Sequence, residues 1–228
     1  YTLGRYNARV KAEITALPRN RVAIHVVISE GLVAKIKQIK IIGNHEFSEK
    51  TLLKQFKLST PNLLSWYTQD YQYSKQKLDA DLQNLSNYYM DRGYLKFQAK
   101  SVQVSLTPDR KHVYITIRVA EGHIYKVSGT QLADYTGKDR DAVEGLITLK
   151  QGDTFSRKEV MNINNNIASK LGNEGFAYPK INTYPKVDEA SHTVFLTFYV
   201  DPGKRVYVNR IEFTGNTKTA DYVLRREM

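Results

Sequence analysis

The chain contains 228 residues, carries a net charge of +11 at pH 7 and has no cysteine. Its length suits one large domain or two to three small ones, and the missing thiols exclude disulfides and thiolate metal sites. No apolar run approaches the roughly 18 residues that a membrane-spanning helix needs.

The first predicted element with a clear pattern is a strand at residues 22–28, in which apolar and mixed residues alternate. Strands of the same pattern follow at residues 113–119 and 194–200, so the pattern recurs after roughly 80 to 90 residues. Each strand runs into a short stop, which is Glu30-Gly31, Glu121-Gly122 or Pro202-Gly203. A period of this length is a whole small domain. We therefore expect a string of similar domains that presents surfaces in series.

Residues 32–121 hold the first complete repeat. Ser48 and Ser74 are predicted to cap a short and a long helix, and Gly93 is placed to end the long helix in the left-handed conformation. Apolar residues of the long helix lie 4, 3 and 4 positions apart and so line one face; they are Leu78, Leu82, Leu85 and Tyr89. Strands are predicted at about 33–42, 95–106 and 112–120. The order is β-α-α-β-β.

Residues 122–202 repeat this order. Strands are predicted at about 124–132, 178–187 and 193–201, and helices at about 138–147 and after a capping box at Ser156. Residues 1–31 match only the closing part of a repeat. Residues 203–228 match only its opening part, with a strand through Val208, Ile211 and Phe213 and a helix from about Thr219. We expect a fragment of a longer protein that contains the end of one domain, two whole domains and the beginning of a fourth.

The search for catalytic chemistry finds no nucleotide-binding loop and no nucleophile motif. The five histidines are scattered without a metal-ligand spacing. Two pairs of aspartates, Asp79/Asp81 and Asp139/Asp141, stand two residues apart, a spacing that does not bring helix side chains to one face. We read both pairs as solvated helix surface. The sequence therefore predicts no enzyme, no cofactor and no metal site.

The positive charge leaves two interpretations open. One is a partner such as a nucleic acid or an anionic membrane surface. The other is a soluble surface with lysines spread over many elements. Acidic residues are interspersed nearly everywhere, and no aromatic RNA-binding motif is present. We therefore favour the soluble surface and expect no nucleic-acid partner.

The two most apolar strands, at residues 112–120 and 193–201, are predicted to lie at the centres of three-stranded sheets, with helices covering one face of each sheet. The strands before them, at about 97–106 and 179–187, then lie at edges, where unpaired backbone groups can accept another strand. Residues 97–106 are the better candidate because they lack an internal proline. The candidate peptide-binding residues are Gln98, Lys100, Val102, Val104 and Leu106, with Lys180, Asn182 and Tyr184 on the second edge.

Several recurring motifs carry a resemblance to a known family. They are Gly43-Asn44 after the first strand, Gly93-Tyr94 and Gly175-Phe176 after the long helices, and the Glu121-Gly122 and Pro202-Gly203 junctions. With the β-α-α-β-β order, these motifs resemble POTRA domains, the periplasmic repeats of outer-membrane protein assembly factors. The resemblance implies an α+β fold of tandem domains, each with two helices packed on a three-stranded mixed sheet. It also implies that residues 1–31 end the second repeat, that residues 32–121 and 122–202 are the complete third and fourth repeats, and that residues 203–228 begin the fifth.

The resemblance also implies partners and a location. The partners are unfolded outer-membrane proteins, accessory lipoproteins of the assembly complex and the chain's own C-terminal membrane barrel outside this fragment. Glu227 matches the family position that pairs with an essential lipoprotein. The location is the periplasmic portion of an outer-membrane protein in a Gram-negative bacterium. Alternatives are the POTRA region of another secretion or division protein, or a basic nucleic-acid-binding module.

Three glycines at the junctions between repeats are candidate hinges, because glycine permits bending while a short junction restricts it. They are Gly31, Gly122 and Gly203. The stiffer Pro-Gly pair predicts that the last of these joints is less mobile than the one at Gly122.

Overall fold

The computed structural model describes residues 9–19, 21–30, 33–60, 71–133, 135, 137, 139–215 and 218–226. The elements in chain order are β1 (Arg9–Leu17), β2 (Arg21–Ser29), β3 (Lys35–Ile42), α1 (Glu49–Leu53), α2 (Lys75–Met90), β4 (Gln98–Leu106), β5 (His112–Ala120), β6 (Lys126–Ala133), α3 (Arg140–Glu144), α4 (Arg157–Asn173), β7 (Lys180–Asp188), β8 (Thr193–Asp201) and α5 (Asp221–Arg226). None of the helices in these ranges is long and apolar enough to cross a membrane.

Within the described ranges, the strands form one hairpin and two three-stranded sheets. β1 pairs with β2 in the hairpin, and the sheets have the orders β3-β5-β4 and β6-β8-β7. β5 pairs with β3 in parallel and with β4 antiparallel, so the first sheet is mixed. β5 and β8 lie at the centres because their alternating apolar residues are buried on one face. The predictions of central and edge strands are confirmed.

The chain divides into two compact units. The first unit comprises Tyr1–Thr130, Leu149–Met161 and Pro185–Leu196, and the second comprises Gln131–Thr148, Asn162–Tyr184 and Thr197–Met228. These units do not follow the sequence repeats. The junction at Gly122 therefore lies inside the first unit.

The core of the first complete repeat joins the apolar face of α2 to the inner face of its sheet. Leu78, Leu85 and Tyr89 of α2 are buried together with Ile36, Ile115 and other strand residues. Ser48 caps α1 as predicted, because its hydroxyl accepts a hydrogen bond from Thr51 N. Ser74 stands at the N-cap of α2, but its side chain makes no capping bond.

The prediction that Asp81 belongs to the solvated helix surface is wrong. Asp81 is fully buried, and its carboxylate accepts hydrogen bonds from Lys57 N (2.7 Å) and Leu58 N (2.9 Å). It stands three residues after Leu78, which places it on the apolar face of α2. Burial raises the pKa of the Asp81 carboxyl above its ordinary value, although the two backbone donors oppose the rise.

Both long helices end in the same turn at a glycine. Gly93 has a φ of 96°, which confirms the predicted left-handed end of the helix. Tyr94 N also donates to Tyr89 O at 3.1 Å, which makes the turn a Schellman motif. Gly175, with a φ of 91°, ends α4 in the same way. Each glycine also receives a hydrogen bond of 2.8 Å on its carbonyl, from Tyr125 N at Gly93 and from Val206 N at Gly175.

Three other predictions need correction. The strand expected through Val208, Ile211 and Phe213 does not form, and α5 begins at Asp221 rather than near Thr219. The opening strand β3 needs the central strand β5 as its neighbour, and the described residues after 203 include no strand to play that part. The helix predicted at 138–147 is shorter, covering only Arg140–Glu144.

Candidate binding edge

β4 lies at one edge of the first sheet and is interrupted by a bulge. Ala99 stands opposite Val119 and Ser101 stands opposite Arg118, which leaves Lys100 as an extra residue in β4. From Ser101 to the end of β4 the register is regular. Because a bulge bends the strand and breaks the ladder, the regular edge is shorter than the predicted strand and excludes Gln98.

The backbone direction along β4 follows from the turn that ends it. Thr107 N donates to His112 O at 3.0 Å, so Thr107 points its N–H group toward β5. Backbone groups alternate sides along an antiparallel strand, and Leu106, Val104 and Val102 therefore point theirs away from β5. Among the described residues no strand pairs with this outer side, which is called the free edge of β4 below. Three of the five predicted binding residues thus present their N–H and C=O groups on it.

The side chains of β4 give its two faces different characters. Val104 and Leu106 are half-buried against the core, and Val102 is 37% exposed. Gln103 and Ser105 alternate with them and are exposed. A strand laid along the free edge would continue an apolar face on the helix side and a polar face on the other.

On the opposite edge of the first sheet, along β3, two backbone donors are engaged by other parts of the chain. Ile36 N donates to Tyr71 O at 2.7 Å, and Ile41 N donates to the Glu49 carboxylate at 2.8 Å. Glu49 lies in the first turn of α1. Occupied donors cannot pair with a further strand. At Ile36 and Ile41, β3 therefore has no backbone N–H group left for a further strand.

In the second sheet, the edge along β6 is likewise engaged by other parts of the chain. At β6, Val127 N donates to Asp153 O and Val127 O accepts from Gly152 N, both at 2.8 Å. Arg140 Nη2 donates a hydrogen bond of 2.6 Å to the Leu132 carbonyl. The β6 edge is thus occupied at both ends of the strand by groups of the same chain.

β7 forms the other edge of the second sheet. Its predicted binding residues Lys180, Asn182 and Tyr184 are exposed, and the Tyr184 ring lies edge-on to Tyr199 with centroids 5.3 Å apart. Pro185 lies inside β7 rather than near its end. Because proline lacks an N–H group, β7 has one backbone donor fewer than an uninterrupted strand.

Glu121 has a structural role that the sequence pattern did not reveal. Glu121 is 7% exposed, and its carboxylate accepts hydrogen bonds from His45 N at 2.9 Å, from Glu46 N and from the Tyr89 hydroxyl at 2.6 Å. Burial and the contact with Glu121 raise the pKa of Tyr89. The carboxylate ties the end of β5 to α2 and to the turn after β3. The only sequence signal for it was its place directly after the buried strand.

The comparisons with known proteins identify the family. The sequence model of the POTRA family, described as surface antigen variable number repeat, matches residues 34–122 and 126–203. The chain belongs to the POTRA family. Its relatives include the outer membrane protein assembly factor BamA of Neisseria meningitidis, 31% identical over 226 residues, and BamA of Buchnera aphidicola, 35% identical over 230 residues. Both alignments cover 99% of this chain but only 28% and 37% of the relatives, respectively.

A solved structure agrees with these relatives. The crystal structure of Haemophilus influenzae BamA POTRA3-5 superposes with a TM-score of 0.70 at 31% identity, covering 86% of this chain and 77% of that one. The α+β POTRA fold and the resemblance to POTRA repeats of outer-membrane assembly factors are thereby confirmed.

The remaining candidate residues have mixed outcomes. Gly122 and Gly203 adopt positive φ angles of 76° and 71°, and their role as hinges of POTRA repeats stays a prediction. Gly31 and Glu227 lie outside the described residues.

The rings of His123 and His192 lie 4.3 Å apart, a contact that their spacing in the sequence does not predict. Within the part of the chain that the structure describes, no group of three or more potential metal ligands is assembled.

Proposed function

We propose that this chain is a binding scaffold that takes up strands of unfolded β-barrel precursors by adding them to the free edge of β4. The observation that carries the proposal is the contrast between the two edges of the first sheet. Ile36 and Ile41 on β3 have their backbone donors occupied, whereas Val102, Val104 and Leu106 direct theirs outward. Backbone pairing reads shape more than sequence, so many different clients can bind.

The two faces of β4 match this class of client. Strands of membrane β-barrels alternate apolar and polar residues. Such a strand on the free edge would set its apolar side chains beside Val102 and Val104 and its polar ones beside Gln103. We place β7 second in this role, with Lys180, Asn182 and Tyr184 flanking a backbone that Pro185 interrupts.

The rest of the proposal follows the relatives named as assembly factors. The chain is the periplasmic portion of an outer-membrane protein of a Gram-negative bacterium, it precedes a membrane barrel, and it docks accessory lipoproteins, one of them through Glu227. It acts without catalysis or a cofactor. Gly31, Gly122 and Gly203 permit limited bending between the repeats, which follow the boundaries 1–31, 32–121, 122–202 and 203–228.

The test is an amide titration of the isotope-labelled chain with a peptide that alternates apolar and polar residues. Val102→Pro removes a donor from the free edge while leaving the pairing with β5 intact, and Val102→Thr keeps the donor as a matched control. We expect shifts concentrated in β4 of the unmodified chain. Val102→Pro should weaken binding about tenfold, because it removes one backbone hydrogen bond and blocks its neighbours.

Three results would overturn the proposal. One is equal binding by the Val102→Pro and Val102→Thr variants. Another is equal binding of a scrambled peptide that lacks the alternation. The third concerns a short DNA duplex. If the duplex shifts the amide signals around Arg110 and Lys111 in a salt-sensitive way while the peptide shifts no signals, the nucleic-acid interpretation is restored.

A further inference from the structure

A polar cleft of about 680 Å³ lies within the first compact unit. The end of α1, the last turns of α2 and the start of α4 form its walls. Three cationic side chains line it, from Lys54, Arg92 and Lys158, and all three residues are exposed. Its volume lies in the range of about 300–1,000 Å³ found for ligand pockets, which is more than one small ion fills.

Arg92 is held in place before any ligand arrives. Its guanidinium lies 3.6 Å from the centre of the Tyr88 ring, and its Nη1 donates to Tyr88 O at 2.9 Å. Stacking on an aromatic ring fixes the plane of the guanidinium, and the other N–H groups of its fork remain suited to a carboxylate. Such pre-organisation lowers the entropic cost of binding.

The neutral groups of the cleft are also set as donors. The side-chain oxygen of Asn87 accepts from Gln83 Nε2 at 3.0 Å, which leaves its amide hydrogens for other contacts. The Ser156 hydroxyl accepts from Glu159 N at 3.2 Å and keeps its own proton to donate. Donors on the walls therefore suit an acceptor ligand.

The acid that lines the cleft is already engaged. Asp91 accepts a hydrogen bond of 2.7 Å from Lys158 N at the start of α4. This bond, together with the one from Glu159 N to Ser156, satisfies the first amides of α4, so the helix end itself is not the binding group. Three cations against one engaged carboxylate give the cleft a positive potential.

We propose that this cleft binds an acidic segment of a partner protein, with a carboxylate of the segment paired to Arg92 and flanked by Lys54 and Lys158. The donor-rich walls select carboxylates, and the volume admits several residues of a peptide. The site is separate from strand addition, since none of its lining residues belongs to β4 or β7. It assigns the chain a second docking surface with a different chemistry.

The experiment measures fluorescence anisotropy of a labelled peptide rich in glutamate, with its glutamine counterpart as the reference probe, against the whole chain. We expect Arg92→Gln to weaken binding of the glutamate peptide about tenfold, the effect of losing a charge-assisted hydrogen bond. Arg92→Lys should give a partial loss, because an ammonium cannot lie flat on Tyr88. Lys40→Gln, an exposed lysine outside the cleft, should change nothing.

Several outcomes would overturn the proposal. The glutamine peptide could bind as well as the glutamate peptide, or Lys40→Gln could cost as much as Arg92→Gln, which would mean unspecific charge attraction. Inorganic phosphate could displace the peptide at equal concentration, which would mean a simple anion site. A DNA duplex could bind more tightly and lose the same factor in Arg92→Gln. Val102→Pro should leave this binding unchanged, which separates failure here from failure at β4.

Discussion

The hydroxyl of Tyr89 donates a hydrogen bond of 2.6 Å to the carboxylate of Glu121, and this contact joins the long helix of the first complete repeat to the end of its central strand. Glu121 also accepts from the backbone of His45 and Glu46. One buried carboxylate thus holds together three elements that are far apart in sequence.

Replacing Tyr89 by Phe should lower the free energy of unfolding by about 1–3 kcal/mol, because the hydrogen bond is to a charged group. The ring stays stacked on Phe97 at 4.1 Å, so packing is preserved and the change reports the hydroxyl alone. Urea denaturation measures the loss. A Tyr88→Phe variant on the neighbouring, half-buried ring is the control, and an equal loss there would contradict this account.

The buried Asp81 should give the stability a pH dependence. The folded chain holds the Asp81 proton more tightly than the unfolded chain, whose pKa is near 3.8. The folded state therefore binds more protons between the two pKa values, and stability falls as the pH rises through that interval. Asp81→Asn removes this term.

Urea titrations of both chains between about pH 3.5 and 6.5 test the sign for Asp81. The advantage of the unmodified chain over Asp81→Asn should shrink as the pH rises and become constant above the folded pKa. A difference that grows with pH would show that the two backbone donors, from Lys57 and Leu58, outweigh desolvation.

The two helix-ending glycines should respond differently to alanine. Both have positive φ angles, so alanine costs roughly 1–2 kcal/mol at either position. A Cβ on Gly93 would also lie 2.7 Å from Thr154 Cγ2 and 2.8 Å from Ile124 Cγ2, whereas Gly175 has only Val206 O at 3.8 Å. Thermal unfolding should show the larger loss for Gly93→Ala. Equal losses would mean that the Ile124 and Thr154 side chains yield without cost.

Opening the β3 edge should be possible by one substitution. Glu49→Ala leaves Ile41 N without its acceptor, and hydrogen exchange at the Ile41 amide should become faster. The substitution removes a hydrogen bond to a charged group, so stability should fall by about 1–3 kcal/mol. Glu49→Gln retains a carbonyl oxygen and serves as the control. Unchanged exchange at Ile41 in Glu49→Ala would contradict the closure of this edge.

Much of the fold could be predicted because local patterns coincide with the packing. The alternating apolar residues of β5 and β8 predicted two sheet centres, and the glycines at 93 and 175 predicted the helix ends. The burial of Asp81 also follows from a local pattern, because Asp81 stands three residues after Leu78 on the apolar face of the helix; its spacing from Asp79 carries no such information.

The features that distinguish the two sheet edges could not be predicted. The bulge at Lys100 depends on the registry between β4 and β5, and nothing in the local residues marks it. The bond from Ile41 to Glu49 requires knowing how a strand and the following helix face each other. The contacts that pre-organise the cleft depend likewise on side-chain positions, such as the place of Arg92 over Tyr88.

The hydrogen bonds to the Gly93 and Gly175 carbonyls bear on how such chains gain and lose modules in evolution. In each case the backbone that leads into the next repeat, at Tyr125 or Val206, is held by the end of the previous long helix. Separating the chain at Gly122 would leave the Gly93 carbonyl without its donor and the Tyr125 amide without its acceptor. Loss or duplication of one whole repeat would instead bring an equivalent donor to an equivalent glycine. The unit that evolution can add or remove therefore has the length of one repeat, although each contact at a junction involves residues of two repeats.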